Sequence, residues 1–160
     1  MKKEKSQRHN QVPAKVTAYV DEEIKDFVEI LNSFDGLWTM ESCAGYSDNK
    51  VCISACYGEW FFGCKDVATT ANFIHELTKC LTEVMSEEKA CEAVSESHYF
   101  KGKSKSANFW DQQMDCGISL SLKWDGEFCP TIEIEFNKSC LDRVTSFFND
   151  AKDKMEEIGR

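Results

Sequence analysis

The sequence predicts an α+β fold, a mostly antiparallel sheet with three main helices packed on one face. Three observations predict it. Apolar residues recur every three or four positions in three separate stretches, the period of an amphipathic helix. Other short stretches alternate apolar and polar side chains, the period of a half-buried strand. No repeat, linker or shift in composition divides the chain, so residues 15–160 read as a single domain behind a flexible basic tail, residues 1–14.

The tail lacks periodicity and contains Pro13, and Lys15 to Tyr19 reads as a short strand. Asp21-Glu22-Glu23 then opens the first helix, with Asp21 placed to cap it and the acids favoured by the positive end of the helix dipole. Val20, Ile24, Phe27, Val28, Leu31 and Phe34 form its apolar stripe. Asp35-Gly36 stops it, because glycine takes the left-handed conformation of a helix end freely. Leu37 to Glu41 reads as a strand, and Ala44 to Lys50 as a turn. Val51 to Tyr57 is a second strand, with Val51, Ile53, Ala55 and Tyr57 on one face and Cys52, Ser54 and Cys56 on the other. Gly58 to Gly63 brackets Trp60-Phe61-Phe62, read first as core and second as the lining of a binding surface.

Asp66 to Glu87 is the second helix, its broad apolar face built from Val67, Ala71, Ile74, Leu77, Leu81, Val84 and Met85. Cys91 to Phe100 leans towards a strand, and Lys101 to Ser106 reads as a basic loop of small residues. Ile118, Leu120, Leu122 and Trp124 alternate with Ser119, Ser121 and Lys123, a half-buried strand. Beyond a turn at Asp125-Gly126, Ile132, Ile134 and Phe136 alternate with Glu133 and Glu135. The two strands are expected to pair as an antiparallel hairpin with one wet face, where Lys123 sits near the glutamates. Ser139 to Ile158 is the last helix, burying Leu141, Val144, Phe148, Ala151 and Met155.

Composition bounds the function. The 160 residues are 42% hydrophobic and 29% charged, a globular balance. No apolar run approaches the roughly 18 residues of a membrane span, so no membrane partner is expected. Met1 to Gln11 is basic and polar, unlike a secretory signal, and the expected location is cytoplasmic. The nine cysteines are an odd number and are expected to be reduced, mostly as small buried hydrophobes. The net charge is −9, and Lys2, Lys3, Lys5 and Arg8 against Glu4 give the tail +3, leaving −12 on the rest. A field of that sign repels phosphate backbones, which counts against general nucleic-acid binding.

Several constellations carry little chemistry. Cys52 and Cys56 on a strand lie about 13 Å apart, too far to share a zinc ion, and His75 and Cys80 on a helix point about 140° apart. No metal site is expected. Lys101-Gly102-Lys103-Ser104 resembles the end of a phosphate-binding loop, but Ser97 stands where that motif needs its first glycine. Glu133 and Glu135 share a wet face and read as solvated sheet surface.

The segment Ser42-Cys43-Ala44-Gly45-Tyr46 is the candidate ligand-binding site. A cysteine leaving a strand, followed by small residues and glycine, sits where backbone amides point into a pocket and a thiol is presented. It is also what a tight turn between two strands requires. As a catalytic nucleophile Cys43 would need a base, for which His75 and His98 are the candidates within the domain.

Tyr19-Val20-Asp21-Glu22-Glu23-Ile24, Leu31-Asn32-Ser33, Trp38-Thr39 and Ser42-Cys43-Ala44-Gly45 together resemble the opening of the wybutosine-synthesis tRNA methyltransferase family, the third enzyme of that pathway. The resemblance spans residues 19–46 and implies S-adenosylmethionine as cofactor and a modified guanosine of tRNA as methyl acceptor. Tyr46 stands where the family usually has arginine, and Glu41 where it has serine. The residues themselves point first to a small cytosolic binding module that uses the Ser42–Tyr46 loop for a ligand or partner. The alternative is the methyltransferase that the resemblance implies, and a third reading is a thiol enzyme using Cys43.

Overall fold

The computed structural model describes residues 19–44, 49–58, 66–87, 94–101, 104–112, 116–124 and 130–159, with the backbone alone for residues 94–101 and 104–112. In chain order the elements are α1 (Lys25–Ser33), β1 (Leu37–Cys43), β2 (Lys50–Tyr57), α2 (Val67–Glu87), β3 (Val94–Lys101), β4 (Ser104–Gln112), β5 (Ser119–Trp124), β6 (Thr131–Asn137) and α3 (Leu141–Ile158). The strands form one six-stranded sheet in the order β1-β2-β6-β5-β4-β3, and every neighbouring pair is antiparallel. The α+β expectation holds. Among the described residues no helix is long and apolar enough to cross a membrane.

Strand periodicity fixes which side the helices cover. Val51, Ile53 and Ala55 of β2, Leu120 and Leu122 of β5, and Ile132, Ile134 and Phe136 of β6 are all buried. They join one core with Phe27 and Leu31 of α1, Ile74, Leu77 and Leu81 of α2, and Phe147 and Phe148 of α3. Phe27 sits at the centre, its ring edge-on to Phe136 at 5.0 Å and to Phe148 at 5.1 Å. Each such aromatic contact adds about 0.5–1.5 kcal/mol to the burial of the rings. The three helices therefore lie on one face, and the other carries the alternate residues of the same strands.

The α1–β1 corner shows how local chemistry sets the chain path. A single 3-10 turn, Glu22–Ile24, leads into α1. Asp21 occupies the cap position of that turn but makes no side-chain cap hydrogen bond. Its carboxylate accepts the backbone N–H of Ala44 instead, at 2.9 Å. Gly36 turns the chain with φ +78°, and its carbonyl accepts the Gly58 N–H at 2.7 Å, closing the far end of the β1–β2 pair.

The elements depart from expectation in four places. Tyr19 is fully exposed and in no strand, while the rest of the strand expected from Lys15 lies outside the described residues. β1 runs on to Cys43, two residues beyond its expected end at Glu41. The basic loop expected over Lys101 to Ser106 is instead the end of β3 and the start of β4. β4 itself was not expected, because Ser104 to Gln112 shows no clean alternation, and its register shifts between Asn108 and Trp110. Gly45 and Tyr46 of the loop, the Trp60–Phe62 cluster, Gly102-Lys103 and the Asp125-Gly126 turn all lie outside the described residues.

Candidate functional site on the open sheet face

One irregularity in β1 decides what the open face presents. Leu37 and Thr39 pair with Tyr57 and Ala55, and Glu41 and Cys43 pair with Ser54 and Cys52, with a register shift between Thr39 and Glu41. Opposed residues of an antiparallel pair point to the same face. Leu37 and Thr39 therefore lie on the helix side, and the extra residue, Met40, turns Glu41 and Cys43 to the open side. A bulge re-aims the side chains beyond it in this way.

Two cross-strand rows follow. In one, Cys43, Cys52, Glu135 and Ser119 stand side by side across β1, β2, β6 and β5. In the next, Glu41, Ser54, Glu133 and Ser121 do the same. The β1–β2–β6 part of these rows lines a shallow, open hollow of about 470 Å³, with Ser42 at its rim. Three carboxylates and two thiols share it. Lys123 Nζ lies 2.9 Å from Glu133 Oε2, the neighbour expected for that hairpin face. The Cys52 thiol donates towards Glu135 Oε1 at 3.7 Å.

None of the six described cysteines is in a disulfide, and they occupy two environments. Cys43 and Cys52 are half-buried on the open face. Cys56 is fully buried, its thiol donating to Met40 Sδ at 3.0 Å. Burial pushes the Cys56 thiol up from its ordinary pKa, so it stays protonated. Cys80, Cys116 and Cys140 are buried.

Of the candidate loop, the described part is Ser42, Cys43 and Ala44. Cys43 faces the hollow, Ser42 pairs with core-facing Ile53, and Ala44 is buried and held by Asp21. Asn32 provides a second brace: its Oδ1 accepts the Thr39 N–H at 2.8 Å and its Nδ2 donates to Thr39 Oγ1 at 3.0 Å. Asp21, Asn32, Thr39 and Ala44, four residues of the run that carries the family resemblance, thus bind α1 and its entry turn to β1.

The histidines proposed as bases do not gather at Cys43. His98 is in β3, at the opposite edge of the sheet from β1, about 24 Å away at the usual strand spacing. His75 is an exposed residue of α2, in the layer on the other face. Cys80 lies in the core while His75 is exposed, and among the described residues no group of three or more His, Cys, Asp or Glu side chains could hold a metal ion.

Sequence reading missed that Cys52, Glu41, Glu133 and Glu135 share a site with Cys43. The alternation in β2 and β6 already put Cys52 and the glutamates on the outer face; the bulge that brings Glu41 and Cys43 beside them left no signal. The chain matches no family model, no curated protein and no solved structure.

Proposed function

We propose that the chain is a binding module whose open sheet face takes a positively charged segment of a partner protein in the β1–β2–β6 hollow. The observation that carries this reading is the convergence of Glu41, Glu133 and Glu135 on one face that no described helix covers. The hollow is shallow and wide, unlike the enclosed pockets that bury most of a small ligand. Its carboxylates supply acceptors for ammonium and guanidinium groups, and Ser54 adds a hydroxyl. An overall charge of −9 draws basic partners in from a distance. The reduced state of the described cysteines suits a cytoplasmic setting.

The test is a titration of the full chain with a fluorescent oligolysine peptide at low and physiological salt. Binding that weakens with salt, and falls at least threefold in the Glu41→Gln/Glu135→Gln double variant, is expected. Binding indifferent to the charge change, or none below millimolar peptide, removes the proposal.

S-adenosylmethionine-dependent tRNA methylation is the second reading, favoured by one observation: Ser42 and Cys43 border an acidic hollow, and the methyl donor carries a sulfonium cation. The same carboxylates repel the tRNA backbone, which places this reading behind the first. At a hundred times its dissociation constant the donor would add about 2.7 kcal/mol, raising the unfolding temperature by roughly 5–11 °C. No rise at millimolar donor removes this reading.

A further inference from the structure

Cys43 near the end of one strand and Cys52 in the next are directly opposed in the antiparallel ladder. Opposed residues there have Cα atoms about 4.5 or 5.5 Å apart, within the roughly 4.4–6.8 Å that a disulfide spans. Both thiols are half-buried and line an open hollow, so a small reagent can reach them. We propose that Cys43 and Cys52 are a redox-active dithiol, converted to a cross-strand disulfide by low-molecular-weight disulfides and restored by thiols.

The chemistry balances as two exchanges. One cysteine, as thiolate, attacks a sulfur of the small disulfide, forming a mixed disulfide and releasing one small thiol. The second cysteine, as thiolate, attacks the protein sulfur of that mixed disulfide, closing the Cys43–Cys52 bond and releasing the second small thiol. Two electrons and two protons pass from the protein to the reagent. In the reduced form the Cys52 thiol donates towards Glu135, so closure needs the Cys52 side chain to turn from Glu135 to Cys43. Half-buried side chains make such turns readily.

Geometry also sets how firmly the bond holds. Opposed Cβ atoms lie about 4.5–5.5 Å apart, whereas a disulfide wants about 3.8 Å. The strands must close by about 1 Å, and that strain makes the bond easy to reduce, as a reversible device requires. Charge sets the reagent class. Glu41, Glu133 and Glu135 around the pair favour a cationic or neutral disulfide over an anionic one. The inference stands whether or not the hollow binds a partner.

The test treats the reduced full chain with excess cystamine, a cationic disulfide, alkylates the remaining thiols and maps the tryptic peptides. Cleavage after Lys25, Lys50 and Lys65 leaves Cys43 as the sole cysteine of residues 26–50, apart from Cys52, Cys56 and Cys64 in residues 51–65. Most of the chain is expected to carry a 26–50/51–65 link that fragmentation assigns to Cys52. Excess small thiol should reverse it, and Cys43→Ser and Cys52→Ser should each abolish it. At low salt cystamine should act at least threefold faster than glutathione disulfide. Alkylatable Cys43 and Cys52 after treatment, stable mixed disulfides without the link, or a bond from Cys43 to any other cysteine would overturn the proposal. The wild-type map is decisive even where a serine variant folds poorly.

Discussion

Asp21 and Asn32 brace the strand that carries Glu41 and Cys43 without lining the hollow themselves. Each uses a side-chain acceptor to hold a backbone N–H of the α1–β1 unit, Ala44 for Asp21 and Thr39 for Asn32. A carboxylate accepting an amide is a charge-assisted bond, stronger than a neutral one, although the exposure of Asp21 lets water compete for it. Asp21→Ala should therefore lower the unfolding free energy by about 1–2 kcal/mol. Asp21→Asn keeps an acceptor and should lose less. Urea unfolding of the three proteins measures both, and equal losses would mean that the charge, not the hydrogen bond to Ala44, matters. The sequence suggested Asp21 as a helix cap, a role consistent with its type and its place. The competing acceptor task, a donor 23 residues further on, could not be seen without the fold.

The elements differ in how plainly they were written. β5 and β6 alternate cleanly because each lies inside the sheet with one face on the core, and their hairpin pairing and wet glutamates followed from that. β2 alternates only as far as Ala55, because Cys56, expected on the outer face with Cys52 and Ser54, is buried as well. The three helices were equally plain, each burying one apolar stripe. β4 was not, since its register shift breaks the alternation that marks a strand. β1 was half legible. Its first residues read as a strand, but the bulge at Met40 reverses the facing of Glu41 and Cys43, and period-two reading cannot register a single inserted residue. The same corner holds a position with no freedom. Gly36 has φ +78°, and a Cβ there would lie 3.0 Å from Tyr57 Cε2, in the ring that stacks on Phe73 at 4.3 Å. Gly36→Ala meets both the left-handed penalty and this contact, and should destabilise the chain by about 1–2 kcal/mol. A thermal scan of Gly36→Ala tests it; an unchanged midpoint would show that the turn relaxes.

At the scale of the molecule, the described cysteines divide by burial: Cys56, Cys80, Cys116 and Cys140 are buried, and Cys43 and Cys52 are half-buried on the open face. Those in the core act as small apolar side chains, which gives the fold a liability at high pH. Cys80 is buried, and burial, with Glu83 and Glu76 adding to it against Lys154 and Lys79, pushes its thiol above the ordinary value. Cys56 shifts the same way for the same leading reason. A raised pKa in the folded state means that the fold binds the proton more tightly than the unfolded chain does. The stability tied to that proton is complete below the unfolded value, about pH 8.5, and is lost as pH rises from there through the folded value. In a phosphine reductant, the urea midpoint should stay level near neutrality and fall above about pH 8.5. Cys80→Ala sacrifices some packing at every pH but removes one titrating thiol, so its midpoint should fall less steeply in the alkaline range. Parallel alkaline slopes for the two proteins would assign the loss to other groups. The open-face thiols, Cys43 and Cys52, are half-buried and border the hollow, and that access to solvent is what disulfide exchange there requires.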